Sequence, residues 1–238
     1  KPAGMRGSLT LKGTAGPRPE ITEFTLSGAG LTATGGRVTM TPAGQFDRLS
    51  FGRVRLNNWF DGPLAVIGQG VGNPVKVEIG GGTLDLSRAR FGSAGSGQGA
   101  GSVPIEAQLD RLVISEGLSL DGFSAKLATR SEGVTGSFRG RLNGTAEMTG
   151  TLRPGVYGPT ITASSQDAGA VVTATGVLER ASGGVLTLSL TALPEEDSFD
   201  GRVTIEDIRV QSAPSLAELL SAISVVGMIE QMTGGGGL

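Results

Sequence analysis

Cysteine and histidine are both absent from the 238 residues. Without cysteine there is no disulfide framework, no thiol nucleophile and no cysteine zinc site. Without histidine there is no imidazole metal ligand and no histidine-based triad. Aromatic residues are scarce, at eight Phe, one Tyr and one Trp. That thins the usual material of a large core, and it argues against sugar stacking. Charge of one sign is missing too: 20 basic residues face 22 acidic ones. A balanced chain leaves no electrostatic footprint for nucleic acid. No apolar run is long enough to span a bilayer, and Lys1-Pro2-Ala3-Gly4 lacks the apolar stretch of a signal peptide. Together with the glycine-rich end Gly234–Gly237, this reads as a piece of something larger, with its targeting information elsewhere. Glycine is abundant, at 41 residues, but it does not recur at every third position, which excludes collagen.

What the chain does have is alternation. Side chains on a strand point to opposite faces with period two, so apolar and polar residues that alternate mark a half-buried strand. Val75, Val77 and Ile79 alternate with Lys76 and Glu78; Ile105, Ala107 and Leu109 with Glu106, Gln108 and Asp110. Phe123, Ala125 and Leu127 do the same, as do Leu186, Leu188 and Leu190. Shorter cases are Leu9/Leu11, Phe24/Leu26, Val38/Met40, Leu84/Leu86, Val172/Ala174 and Val203/Ile205. The longest case runs from Val134 to Arg153, with Phe138, Leu142, Ala146, Met148 and Leu152 on one parity. Asn143-Gly144 is a hairpin signal, yet a two-residue turn would invert the parity, and the parity does not invert. The strand therefore runs straight through or the loop has another length. Phase slips at Gly52 and at Glu206-Asp207 predict β-bulges.

A non-β segment is expected over 214–233. Ser215 and Glu218 form a capping box, and Leu216, Leu219, Leu220, Ile223 and Val226 recur at helical spacing. Residues 92–103, rich in Gly and Ser, read as a flexible connector between β segments 1–91 and 104–213.

The search for chemistry yields little. Gly68-Gln69-Gly70-Val71-Gly72 is followed by Pro74 and a strand rather than a helix, so it fails as a phosphate loop. Glu195-Glu196-Asp197 lacks EF-hand spacing. Asn143-Gly144-Thr145 is a formal glycosylation sequon without supporting context. Ser124 and Lys126 suggest a dyad, but two polar residues on a wet sheet face explain them. Trp59 reads as a loop anchor. No catalytic residue, metal or cofactor is expected.

The alternation alone is compatible with a β-sandwich or barrel core. Three features point instead to an elongated sheet with an open apolar face. Aromatics are few, glycines 136, 140, 144 and 150 lie on the apolar parity, and the alternating run is long. An apolar face that is not filled invites an apolar ligand.

Three stretches carry a family resemblance. They are Ser165-Gln166-Asp167-Ala168-Gly169-Ala170-Val171 ahead of Gly183-Gly184, then Asp200 to Val210, then Ala213-Pro214-Ser215-Leu216-Ala217-Glu218 onward. Over about 160–230 this order resembles the C-terminal region of large AsmA-like bacterial envelope proteins of the YhdP and TamB type. Val77 to Leu86 is similar to a strand-turn-strand element of the same proteins. The resemblance implies a long curled β-sheet with an apolar groove; with the residue patterns above, the expected fold is mainly β, an elongated, twisted, antiparallel-rich sheet curled into an apolar groove, with the C-terminal helix of 214–233 capping it. It implies no catalysis. It also implies a periplasmic location, anchored in the inner membrane through a part of the protein not in this chain, and phospholipid movement towards the outer membrane. The partners would be phospholipid acyl chains. The residues expected to meet them are Val75, Val77, Ile79, Phe138, Leu142, Ala146, Met148, Leu152, Leu186, Leu188, Leu190, Leu216, Leu220 and Ile223. The competing expectation is a structural β-solenoid or adhesin-like stalk with a dry core. A glycan-active enzyme would need a carboxylate pair in a cleft.

Overall fold

The computed structural model describes residues 7–14, 20–89, 102–195 and 198–211. Along these residues the chain forms β1 (Gly7–Thr14), β2 (Glu20–Gly28), β3 (Leu31–Met40), β4 (Phe46–Leu56), β5 (Phe60–Ile67), β6 (Lys76–Gly80) and β7 (Thr83–Asp85). It continues with β8 (Val103–Ser115), β9 (Leu118–Arg130), β10 (Gly133–Leu142), β11 (Ala146–Pro154) and β12 (Pro159–Ser165). One helix, α1 (Ala168–Ala174), precedes β13 (Ala181–Ser182), β14 (Val185–Ala192), β15 (Phe199–Glu206) and β16 (Arg209–Val210). Fourteen strands make one long curved sheet in the order β1-β2-β3-β4-β5-β6-β8-β9-β10-β11-β12-β14-β15, with β7 beside β5 and β8. Neighbours are antiparallel except where β6 and β7 run parallel to β8. The expected elongated, antiparallel-rich sheet is therefore what forms. Most of the connector expected at 92–103, and the whole helix expected over 214–233 with Leu216, Leu220 and Ile223, lie outside the described residues.

The parity puzzle at 134–153 has a local answer. Asn143 and Gly144 both adopt positive φ, at 46° and 76°, and the Thr145 N–H closes the turn on the Leu142 carbonyl at 3.0 Å. Thr145 is then an unpaired extra residue, so Leu142 faces Ala146 and Gly136 faces Leu152. Even positions stay on one face through the turn.

A crease of irregular pairing crosses the middle of the sheet. The register shifts at Phe24/Leu26 against β3, at Phe51/Val54 against β5, and at Arg139/Arg141 against β9. Between these places, Gly81 and Gly82 separate β6 from β7, and a Cβ on Gly62 would press on the Gly81 carbonyl oxygen at 2.6 Å. The Asp110 N–H bonds the Gly82 carbonyl at 2.9 Å, while the Asp110 carboxylate accepts from the Gly82 N–H at 2.9 Å. Gly35, Gly82 and Gly122 carry φ of 64°, 84° and 59°. Pro63, which has no N–H to give, sits where the ladders to both neighbours are interrupted. Aligned bulges bend a sheet locally while keeping its faces distinct. Apolar parity switches with them, from Phe51 to Val54 and from Leu109 to Leu112.

Two sequence expectations are corrected. Val172/Ala174 is not a strand but part of α1. Asp167 caps this helix by accepting the Ala170 N–H at 2.9 Å and also the Gly183 N–H at 3.1 Å. A two-turn element mimics strand alternation because its apolar positions are too few to show a period. The slip at Glu206-Asp207 is not a bulge. Asp207 has φ 56° and ends β15, after which β16 leaves the main sheet to pair with β13.

Candidate functional site

One face of the sheet is apolar across nearly its whole width. Following the ladders, Val38, Leu49, Val66, Val77, Ile105, Leu127, Gly136, Leu152, Ile161, Leu190 and Gly201 stand side by side on eleven strands. A second row runs Phe51, Leu64, Ile79, Ala107, Ala125, Phe138, Gly150, Ala163, Leu188, Val203. No charged or hydrogen-bonding side chain enters either row. At ~4.8 Å between strands the first row spans ~48 Å, longer than the ~30 Å hydrocarbon core of a bilayer.

Exposure grades across this face. Every member of the first row is half-buried. In the second row Ala107, Ala125 and Ala163 are buried and the larger side chains are half-buried. Beyond it, at the end carrying α1, Leu142, Ala146, Met148 and Leu186 are buried against Ala168 and Val171 of the helix. Val54, Phe60 and Leu112 are buried as well, although they lie on β4, β5 and β8, away from α1. They belong to one core cluster with Leu109 and Leu120, against which Trp59 and Leu84 pack. Among the described residues no large side chain is less than 2% exposed. A filled sandwich core would contain several.

The sequence-predicted residues therefore fall into groups. Val77, Ile79, Phe138, Leu152, Leu188 and Leu190 lie on the half-exposed rows. Leu142, Ala146, Met148 and Leu186 share their face but sit beneath or beside α1. Val75 precedes β6 in a loop and is exposed. Ile105, Leu127 and Ile161 belong to the rows on equal terms. Alternation marked the first two as strand residues, but only the register places Ile105 beside Val77 and Leu127 in line with Leu152 across Gly136.

The glycines on this parity are not empty floor, contrary to the sequence expectation. The Phe138 ring lies over Gly150 and the Phe24 ring over Gly36, where a Cβ would meet it at 2.7 Å. Leu127 covers Gly136 and Leu120 covers Gly140. The face is apolar and shallow rather than pitted.

α1 is fixed over one end by polar contacts at its edges. The Ala168 and Gly169 N–H groups donate to the Gly184 and Gly183 carbonyls, each at 2.9 Å. Asn143 ties the other end: its Nδ2 donates to the Ala174 and Gly117 carbonyls, and its Oδ1 accepts the Ser119 N–H, each at 2.9 Å. The glycosylation sequon is thus an asparagine whose side chain is already engaged.

The opposite face carries the charge. Arg53 binds Asp61 through Nε and Nη2 at 2.7 and 2.6 Å, and Arg55 adds a contact at 3.1 Å. The Arg53 hydrogen bond holds the Asp61 carboxyl below its usual range. Lys76 bridges Glu106 at 2.9 Å and Glu78 at 3.0 Å across the parallel β6–β8 junction. The Glu106 carboxyl is lowered by that hydrogen bond, and the Lys76 amine is raised by its bonds to Glu106 and Glu78. Among the described residues no group of three potential metal ligands converges, and no helix is long and apolar enough to cross a membrane. Compared with known proteins, the chain matches no protein-family model, no curated protein and no solved structure.

Proposed function

We propose that this chain is a segment of a lipid conduit whose apolar sheet face carries phospholipid acyl chains. The observation behind this reading is the first row: eleven adjacent half-buried positions, all aliphatic or glycine, on a sheet with no described second layer. An acyl chain laid on it gains ~0.8 kcal/mol per CH₂ buried. With no polar group to fix an orientation, the gain is similar at successive positions along the row, which suits sliding better than tight capture. The resemblance to AsmA-like envelope proteins supports the same reading. That resemblance implies a location in the periplasm, between inner and outer membrane. The rival stalk reading requires a dry core, and half-exposed rows do not make one.

The test is mass spectrometry of lipids extracted from protein purified without detergent. Phospholipid at a stoichiometry that drops when Leu152 and Leu190 are changed to Asn supports the reading. Lipid-free protein, or lipid unaffected by those changes, refutes it.

A further inference from the structure

The polar face of β9–β12 is not flat. It holds a shallow depression of about 790 Å³ whose floor includes Ser124, Lys126, Ser137 and Arg139. The ladder sets these four in a square, because Lys126 faces Ser137 and Ser124 faces Arg139. The two cations lie on one diagonal and the two hydroxyls on the other. Thr149 and Thr151 stand next to Arg139 and Ser137 on β11.

The arrangement is poorly explained by folding. Diagonal neighbours on a sheet face are within reach of long side chains, and like charges so placed repel. Elsewhere on this face Arg48, Arg53, Arg55, Lys76 and Arg111 each have a carboxylate within 4.0 Å. Among the described residues Lys126 and Arg139 make no hydrogen bond or ion pair, and Lys126 acts on Glu106 only through its charge. The nearest carboxylate in the ladder, Glu106 opposite Lys126, is already bridged by Lys76. What remains is two charged donors flanked by two hydroxyl donors, which is the donor set of a tetrahedral oxyanion.

We infer that Lys126, Arg139, Ser124 and Ser137 form a binding site for a phosphate group. The site faces away from the apolar rows, so one phospholipid cannot fill both, and the inference stands independently of the conduit proposal. The phosphate belongs to a soluble anion or to a lipid headgroup at a membrane surface.

Inorganic phosphate is titrated into the protein at low ionic strength, where screening is weak, with backbone NMR shifts as the readout. Saturable shifts on β9 and β10 are expected. Loss of either cation, in Lys126→Gln or Arg139→Gln, should weaken binding about tenfold or more. Arg37→Gln removes a distant charge and should change it less than twofold. A parallel arm measures sedimentation with phosphatidylglycerol vesicles against phosphatidylcholine vesicles. Vesicle binding that both cation variants abolish assigns the site to headgroups, whereas phosphate binding without it assigns a soluble anion. No binding in either arm overturns the site. So does binding that Arg37→Gln weakens as much as Arg139→Gln, since that reports net charge alone. Circular dichroism of each variant confirms that the fold is kept.

Discussion

Asn143→Gly deletes a side chain that joins three elements while leaving the backbone free to hold its positive φ of 46°. Three hydrogen bonds disappear: to the Ser119 N–H and to the Gly117 and Ala174 carbonyls. At about 1 kcal/mol net for each, the expected loss is about 3 kcal/mol. Asn143→Ala loses the same bonds and adds roughly 1 kcal/mol for a left-handed alanine, giving about 4 kcal/mol. Asn143→Asp keeps the acceptor for Ser119 but turns a second carboxylate oxygen towards two carbonyls, so it should be no better than alanine at neutral pH. Urea unfolding supplies the three numbers. Hydrogen exchange supplies the location: α1 amides from Val171 to Thr175 should lose protection before the β8–β9 ladder does. If Asn143→Gly falls within 0.5 kcal/mol of the parent (about half of one such bond), the side chain is not what fixes α1 over the apolar face, and the reasoning is wrong.

Three further outcomes follow from the geometry. A Cβ on Gly169 would fall on the Ser182 backbone, so Gly169→Val should detach α1, lower the melting temperature and expose Met148 and Leu186 to a dye such as ANS. Gly82 combines φ 84° with close approach to the Asp61 carbonyl. Gly82→Val should therefore destabilise the crease far more than Gly117→Val, whose Cβ meets nothing although its φ is 73°. Asp61 and Glu106 have folded-state pKa values below their ordinary ones. Their contribution to stability is present above about pH 4 and is lost as pH falls through the lowered values. Asp61→Asn should flatten the acid limb of urea midpoints measured between pH 3 and 7.

Much of the fold was legible because one face of each strand must be dry and the other wet. Leu186, Leu188 and Leu190 announced β14, and the unbroken parity from Val134 to Arg153 required a turn that preserves faces. The Gly52 slip marked one point of the crease. Its full course was not legible, because a bulge is defined by two strands and the sequence shows one at a time. The same limit kept Ile161 and Leu127 apart from Leu152 until the ladders joined them. α1 was missed because seven residues carry too little period, although Asp167 is a good capping residue. Asn143 was visible as a turn residue. Its bonds to Gly117 and Ala174 span 26 and 31 positions, and no local pattern encodes them.

The apolar face as a lipid path is tested most directly by site-specific photo-crosslinking in cells. A benzoylphenylalanine at Leu152 or Leu190 stands in the half-exposed row, and one at Arg153 or Thr191 points to the opposite face. The conduit account predicts phospholipid captured at 152 and 190 and none above background at 153 and 191. Equal capture at both parities, or none at either, would contradict it.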